Sequence, residues 1–362
     1  MVRPRSVCYS SPMQLKIIVA CGGTGGHVFP GLATARALRG RGHDVTVWLS
    51  GRAVEDNALP AWDGPVWRTG ARPLRPATVP ALLASVWRCW RRLRRERPDR
   101  MLAMGSYASV PPALAARLCR LPLVLHEANA VPGKAVDRLS RLARVTAASF
   151  PGLERSLPGR RVVLTGLPVR RELAAAKRSG GGGEDFTVFV TGGSQGAHAV
   201  NEASRDALCV LAAGVPRLRV IHQSGAADAA SLRARYAAAG VAAEVAPFIR
   251  DMGAAYAAAD VVVCRAGAVT CAELCLCGVP AILIPLPGAI RDHQRLNAAA
   301  LADAGGALLV DQRQATPAFL AETLRALAAD PQRRRTMADA MRRLAAPDAD
   351  IRLAELVEGA GK

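Results

Sequence analysis

Residues 20–31 read ACGGTGGHVFPG, so Gly22, Gly23, Gly25 and Gly26 surround Thr24, and an imidazole, His27, follows at once. Glycines at such a turn let backbone N–H groups approach a phosphate, and a helix starting there adds its positive end. A tight strand-to-helix turn without a ligand has the same composition. A second turn of this kind, VFVTGGSQGAH at 188–198, carries Ser194 and Gln195. Two matched turns speak more strongly for phosphate than one. Neither is a dinucleotide fingerprint: with Gly23 and Gly25 as the first pair, the third glycine position falls on Val28, and Ser194 takes the middle position of the second turn. The Gly-Lys-Ser/Thr of a P-loop is absent as well, so neither a nicotinamide enzyme nor a P-loop enzyme is indicated.

Three further stretches concentrate polar chemistry. DVVVCRAGAVTCAEL (260–274) reads as a buried strand ending at Arg265, a glycine turn, and a helix expected to carry Thr270 and Glu273 in its first turn. A helix start holds a diphosphate, and a carboxylate there accepts ribose hydroxyls; the plainer role for Glu273 is to complement the helix dipole. IRDHQRLNA (290–298) gathers His293, Gln294 and Asn297, whose donors and acceptors suit sugar hydroxyls or a solvated helix start. HEANAVPG (126–133) follows a strand and precedes a helix, where α/β sheets bind ligands.

These stretches need elements to hold them. Short apolar runs at 16–20, 44–49, 100–104, 123–126, 144–148 and 162–165 predict strands in the first half. Runs at 187–191, 219–223, 243–247, 260–264, 281–284 and 307–310 do so in the second. Helical patterns lie between them, which predicts parallel α/β sheets. RSGGGGED (178–185) is a linker, since four successive glycines hold no single backbone conformation. The expected architecture is two Rossmann-like domains, 13–168 and 184–340, facing across a cleft, with a C-terminal helix of about 346–362 crossing back to the first.

The chain of 362 residues carries a formal charge of +19, with arginine far exceeding lysine, which favours anionic partners. Aromatics make up only 4% and no nucleic-acid module is present, so nucleic acid is not expected as a partner. Nine scattered cysteines, clustered only in CAELCLC (271–277), suggest structural thiols in a reducing cytoplasm. No Asp-x-Asp pair lies in a glycine turn, so neither a metal nor another cofactor is expected. The basic N-terminus is not expected to be a signal peptide, and Met13 is an alternative start to Met1. No apolar run approaches the ~20 residues of a membrane span. VPALLASVWRCWRRLRRERPDR (79–100) nevertheless places Leu82, Leu83, Val86, Trp87, Trp90 and Leu93 on one helical face, with Arg88, Arg91, Arg92 and Arg95 on the opposite side. Such a helix lies in a membrane interface or packs its stripe on a sheet.

GGTGGHVFPGLA, MGSYAS, HEAN, GLPVR, GGSQGA, HQSG, PFIRDM, AYAAADVVVCRAGAVTCAE and DHQRLNA, in this order over roughly residues 15–300, resemble the MurG family of UDP-N-acetylglucosamine transferases of peptidoglycan synthesis. The resemblance implies a GT-B fold and an inverting transfer of N-acetylglucosamine from UDP-N-acetylglucosamine to the C4 hydroxyl of the muramyl sugar of lipid I (undecaprenyl-pyrophosphoryl-MurNAc-pentapeptide), giving lipid II. It further implies a peripheral protein on the anionic cytoplasmic face of the membrane, and so favours the interfacial role of the 79–100 helix. By motif, Gly23, Thr24, Gly25, Gly26, His27, Tyr107, His126, Glu127 and Asn129 line the acceptor side. Inverting transfer needs a base for the attacking hydroxyl, which a neutral His27 at the helix start suits; the alternatives are that His27 only hydrogen-bonds the acceptor or caps the turn. Arg170 sits at the joint between domains. Ser194 and Gln195 meet the diphosphate, Phe248 and Ile249 the uracil, and Glu273 the ribose. Arg265, Gly267, Ala268, Val269 and Thr270 form the donor loop, while His293, Gln294 and Asn297, with Asn129, read the sugar. The chain departs from the family pattern at Ser106, Ala128 and Leu167. Another UDP-sugar transferase acting on a glycolipid or natural product, or a GT-B UDP-sugar epimerase, are the alternatives.

Overall fold

The computed structural model describes residues 14–361 except 57, 58, 74, 170–172, 174–184, 194 and 216. The N-terminal tail with Met13, the four-glycine linker, Arg170 and Ser194 therefore lie outside the described residues.

Two parallel sheets form. The first comprises β1 (Lys16–Ala20), β2 (Asp44–Leu49), β3 (Val66–Arg68), β4 (Arg100–Ala103), β5 (Leu123–Glu127), β6 (Val145–Ala148) and β7 (Val162–Leu164), in the order β3-β2-β1-β4-β5-β6-β7. The second comprises β8 (Phe186–Thr191), β9 (Leu218–Gln223), β10 (Ala242–Ala246), β11 (Val261–Cys264), β12 (Ala281–Leu283) and β13 (Ala307–Leu309), in the order β10-β9-β8-β11-β12-β13. Sequence patterning misses only β3, a short edge strand of mixed exposure whose residues make no apolar run. In each sheet the chain reverses its direction of travel between the first and fourth strands, β1/β4 and β8/β11. Loops leaving those strands at their carboxyl ends part to open a crevice, which is where open α/β sheets bind ligands.

Parallel strands are covered on both faces, so their runs are continuously apolar. In β1, Ile17 and Val19 face the helix Gly25–Gly40 through Val28, Leu32 and Leu38. Ile18 and Ala20 face the opposite core with Cys89, Leu93 and Ala113. The second domain repeats the arrangement, with Val188 and Val190 in one core and Phe189 in the other. The C-terminal helix Ala349–Gly359 belongs to the first domain's core through Leu353, Ala354 and Val357. Glu358 locks it there, taking Arg41 Nε at 2.6 Å and Nη2 at 2.9 Å, with His43 Nε2 2.8 Å away. The clustered cysteines are buried free thiols. Burial pushes Cys275 and Cys277 up to about 12, which leaves both unreactive.

The helix Val79–Glu96 divides the stripe expected of it. Leu93 is buried, and Leu82 and Trp90 pack against the core, so these three serve the fold. The exposed apolar ridge is instead Val79, Leu83 and Trp87, spaced four residues apart, with Leu83 65% and Trp87 53% exposed. Arg92 also leaves the expected polar face: it pairs with Glu96 at 2.6 Å and covers the Trp67 ring at 4.8 Å. Arg88 donates to the Thr69 carbonyl at 2.9 Å, while Arg91 lies 4.7 Å over the exposed Trp87 ring. The helix thus shows both its faces at once, one to the sheet and one to solvent. Among the described residues no helix is long and apolar enough to cross a membrane.

Because Leu353 fills the first domain's core although it comes from the chain's end, Leu353→Ala is expected to cost about 2–5 kcal/mol. Urea unfolding followed by circular dichroism measures this, and an unchanged midpoint would show that the returning helix contributes nothing.

Candidate active site

The first glycine turn follows β1. Gly23 has φ +100°, a conformation strained for any residue with a Cβ. Its N–H donates to Glu55 Oε1 at 2.7 Å and its carbonyl accepts from Arg52 Nη1 at 3.2 Å. The expectation that Gly23 offers its N–H to a phosphate is therefore corrected: that group is engaged inside the domain. Gly25 and Gly26 instead open the helix Gly25–Gly40, whose first N–H groups have no partner within the helix and remain for an anion.

Thr24 precedes this helix, and its hydroxyl lies 2.9 Å from His27 Nδ1. Burial, and then the neighbouring His293, lower the pKa of His27 to about 4, so the ring is neutral at physiological pH. His293 belongs to the other domain, at the start of the helix His293–Asp303, with Nδ1 2.9 Å from the Ile290 carbonyl. His293 thus lies close enough across the cleft to disfavour protonation of His27. A third histidine, His126 on β5, is fully buried, with Nε2 3.2 Å from Ser149 Oγ and 3.4 Å from the Gly166 carbonyl. Its Nδ1 has no partner among the described residues. Burial, then His27, lower its pKa to about 4 despite the Gly166 contact.

Tyr107 follows β4, its ring against Gly23 and its buried hydroxyl without a partner among the described residues. The Ser106 departure has a local cause. With φ +62°, Ser106 occupies a conformation usual for glycine, and its hydroxyl donates to the Gly22 carbonyl at 2.7 Å while accepting from Ala108 N at 3.1 Å. Ala128 and Leu167 are both buried apolar residues. Glu127 does not reach into the cleft as expected of an acceptor ligand. Its Oε1 accepts the N–H and side-chain amide of Asn129, each at 3.0 Å, and its Oε2 accepts Gly133 N at 2.8 Å. It shapes the 128–133 loop, and burial raises its pKa.

On the donor side, Gly196 has φ +74°, and a Cβ there would stand 2.0 Å from the Ser224 carbonyl oxygen, so only glycine fits. Gln195 is exposed beside it. Gln223, buried at the end of β9, joins the two loops: its Nε2 donates to Thr191 Oγ1 and the Gly193 carbonyl, both at 3.1 Å, and its Oε1 accepts Ile249 N at 2.8 Å. That positions Phe248, 54% exposed, and Ile249, which packs inward. Arg265 follows β11 and donates to the carbonyls of Ile284 and Pro285 at 3.1 and 3.0 Å and to Gln312 at 2.6 Å. No carboxylate among the described residues pairs with it, its Nε lacks a partner, and burial lowers its pKa. Gly267 precedes the helix Ala268–Cys277, so Ala268, Val269 and Thr270 supply the open N–H groups of its first turn.

Two donor-side expectations change. Glu273 lies in the second helical turn, not the first; it is 6% exposed, and Tyr256 donates its hydroxyl to Oε2 at 3.0 Å. Asn297 is fully buried and bridges the domains. Its Nδ2 donates to Asn129 Oδ1 at 3.2 Å and the Ala266 carbonyl at 3.1 Å, and its Oδ1 accepts Ala130 N at 2.8 Å. Gln294 accepts from Leu286 N at 2.9 Å. Arg291, at φ +55°, adds a second bridge to the Pro132 carbonyl at 3.0 Å and Asp137 at 2.7 Å. Glu55, Gln223 and Arg291 were not legible as site residues. Gln223 lies in the HQSG segment and Arg291 in the IRDHQRLNA stretch, but nothing in the pattern around Glu55 marks it.

Switch-point crevices in two Rossmann-like domains, opposed across one cleft, are the architecture of GT-B glycosyltransferases. Residues 17–148 match the glycosyltransferase family 28 N-terminal domain, and residues 187–353 match the family 28 C-terminal domain. The chain is 44% identical over 360 residues to the UDP-N-acetylglucosamine--N-acetylmuramyl-(pentapeptide) pyrophosphoryl-undecaprenol N-acetylglucosamine transferase of Xanthomonas euvesicatoria pv. vesicatoria (strain 85-10), covering 96% of this chain and 82% of that one. The crystal structure of Acinetobacter baumannii MurG superposes with a TM-score of 0.80 at 33% identity, covering 94% of this chain and 99% of that one. The UDP-GlcNAc 2-epimerase of Neisseria meningitidis, solved bound to UDP-GlcNAc, has a TM-score of 0.70 at 14% identity, over 95% of this chain and 99% of that one, and so shares the fold alone. The chain belongs to glycosyltransferase family 28 and, within it, to the MurG family.

The neutral histidines set a pH dependence. His126 has a folded pKa of about 4 against an ordinary 6.5, so between these values the unfolded chain binds a proton that the folded chain refuses. Stability is therefore lost as pH falls below 6.5. His126 is expected to contribute about 1–2 kcal/mol of this loss by pH 5. Guanidinium unfolding at pH 7.5 and 5.0 measures it, and His126→Gln should show a smaller difference between the two pH values than the parent chain; an equal difference would refute the assignment.

Proposed function

We infer that the protein transfers N-acetylglucosamine from UDP-N-acetylglucosamine to the C4 hydroxyl of the muramyl sugar of lipid I, with inversion at the anomeric carbon, to give lipid II. Family membership supports the substrates. The observation that carries the mechanism is the Thr24–His27 pair at the helix start, with His293 of the donor-bearing domain near enough to act on the His27 charge. When Thr24 accepts Nδ1–H, the free electron pair of His27 lies on Nε2, and neutrality makes it available as a base. The C4 oxygen attacks the anomeric carbon as its proton passes to His27 Nε2. The bond from that carbon to the diphosphate oxygen breaks with its electrons, and UDP departs. Arg265, without a carboxylate partner among the described residues, and the start of the helix Ala268–Cys277 favour the negative charge that grows on the leaving diphosphate. In this scheme Phe248 and Ile249 hold the uracil, Gln195 and the Gly267–Thr270 turn the diphosphate, Glu273 with Tyr256 the ribose, and His293 and Gln294 the sugar. Gly25, Gly26 and Tyr107 hold the acceptor. No metal enters the scheme.

We further assign the ridge Val79, Leu83 and Trp87, with Arg91 over the Trp87 ring, to the anionic membrane surface that bears the lipid acceptor. The helix packs on the face of the first domain's sheet, so the ridge would bring that domain toward the bilayer from the cytoplasmic face.

Incubating the protein with UDP-N-acetylglucosamine, with and without a lipid I analogue, tests the function: UDP release should depend on the acceptor and yield the disaccharide lipid. Interconversion of the sugar nucleotide without acceptor would instead identify an epimerase. His27→Ala is expected to lower kcat by about 10²–10⁴-fold with UDP affinity unchanged in calorimetry. Near-normal turnover at saturating acceptor would remove the base role. Leu83→Ser with Trp87→Ser should reduce co-sedimentation with anionic vesicles and leave the melting temperature in place, and added salt should release the parent protein too. Undiminished vesicle binding by the double variant would place the membrane contact elsewhere.

A further inference from the structure

We propose that Glu55 is a positioning residue for this transfer: its buried carboxylate fixes the first glycine turn so that Thr24 and His27 present themselves to the acceptor. The inference rests on the function proposed above. Glu55 stands in the short helix Ala53–Asp56 beyond β2 and is 1% exposed. Its Oε1 accepts Gly23 N at 2.7 Å, Ser50 N at 3.3 Å and the Ser50 hydroxyl. Its Oε2 accepts Gly51 N at 2.8 Å and Arg52 N at 3.2 Å. Backbone donors from the carboxyl ends of both β1 and β2 thus converge on one side chain.

The residue type follows from this count. Every group aimed at Glu55 is a donor, so the position requires acceptors on both branches, which the two oxygens of a carboxylate supply and the single oxygen of an amide does not. An apolar side chain would leave buried N–H groups without partners. The neighbours complete the lock. Arg52 Nη1 holds the Gly23 carbonyl at 3.2 Å, and Ser106 Oγ holds the Gly22 carbonyl at 2.7 Å. The peptide on either side of Gly23 is therefore fixed by three side chains from two loops. The next residue is Thr24, whose hydroxyl orients His27. Freedom at Gly23, which a left-handed glycine would otherwise have, would pass directly to the base. Glu55 also withdraws the Gly23 N–H from any ligand, so that an acceptor diphosphate meets the N–H groups of Gly25 and Gly26, beside the imidazole and not beneath it.

The test uses the full chain with UDP-N-acetylglucosamine and a lipid I analogue, with turnover expressed per UDP-binding site counted by calorimetry. The parent protein is assayed first; absence of acceptor-dependent transfer there would sink the function itself, separately from Glu55. Glu55→Gln is expected to lower kcat by roughly ten- to a hundredfold, because small misplacement of a catalytic group has large kinetic effects. Acceptor KM should rise, while UDP affinity and donor KM, set by the other domain, should not move. A residue that merely stabilised the fold would lower the melting temperature and the number of UDP-binding sites, yet leave turnover per site at the parent value; that result overturns the proposal. If Glu55→Gln does not fold, Arg52→Ala decides. Its side chain is a surface arm on the same turn, so the variant should fold and lose about three- to tenfold in kcat with UDP affinity intact. Parent-like turnover in Arg52→Ala would then overturn the proposal.

Discussion

Parallel strand direction is the constraint on which this molecule depends. Because every pairing in both sheets is parallel, each domain sends all its strand ends of one kind to one edge, and each sheet has a single place where neighbouring loops diverge. In the first domain that place lies between β1 and β4, and it receives the turn at Gly23 and the one at Ser106 and Tyr107. In the second it lies between β8 and β11, and it receives the turn at Gly196 and the one at Gly267. Residues some 80 positions apart are brought into hydrogen-bonding contact as a result, as between Ser106 and Gly22. The two edges then meet through Asn297 and Arg291, which reach from the helix start of one domain to the 129–133 loop and to Asp137 in the helix that follows it in the other. A donor loop and an acceptor loop thus share one buried amide, since Asn297 touches Ala266 and Asn129 together.

Bringing backbone so close together creates a second demand. Left-handed glycines and loop ends turn peptide groups away from regular partners, and buried groups left unpaired are costly. Several polar side chains that the sequence suggests as ligands meet this demand instead. Glu127 closes its own loop, and Asn297 bridges the domains. Glu55 and Gln223 do the same work under the two glycine turns, one with a carboxylate where all partners are donors, the other with an amide where donors and acceptors alternate. The chemistry of each strut matches what its surroundings offer.

Burial also decides charge. Desolvation dominates for both His27 and His126, with His293 further disfavouring protonation of His27, and His27 that of His126. The result is an uncharged basic nitrogen next to a helix start, while Arg265 of the other domain binds two carbonyls and Gln312 and has no carboxylate partner among the described residues. In the transfer proposed above, this pairing would serve the proton released at one substrate and the negative charge released at the other.

The order of strands, glycine turns and helices, the division into two α/β domains and the family to which the chain belongs were all legible in the sequence, because they depend on local periodicity and on motifs that are contiguous in the chain. The edge strand Val66–Arg68 was not, since three residues of mixed exposure carry no period. The helix Val79–Glu96 was legible as amphipathic but not as two-sided: a helical wheel shows which residues share a face, whereas only the packed neighbours decide that Leu93 and Trp90 meet a core and Leu83 and Trp87 meet solvent. Glu273 was placed one turn too early, because the sequence marks the glycine and not the first helical hydrogen bond. The roles of Glu55, Gln223 and Asn297 belong to tertiary structure alone. Whether a carboxylate or amide faces a ligand or a peptide depends on which distant N–H and carbonyl groups the fold leaves unpaired, and no local pattern records them.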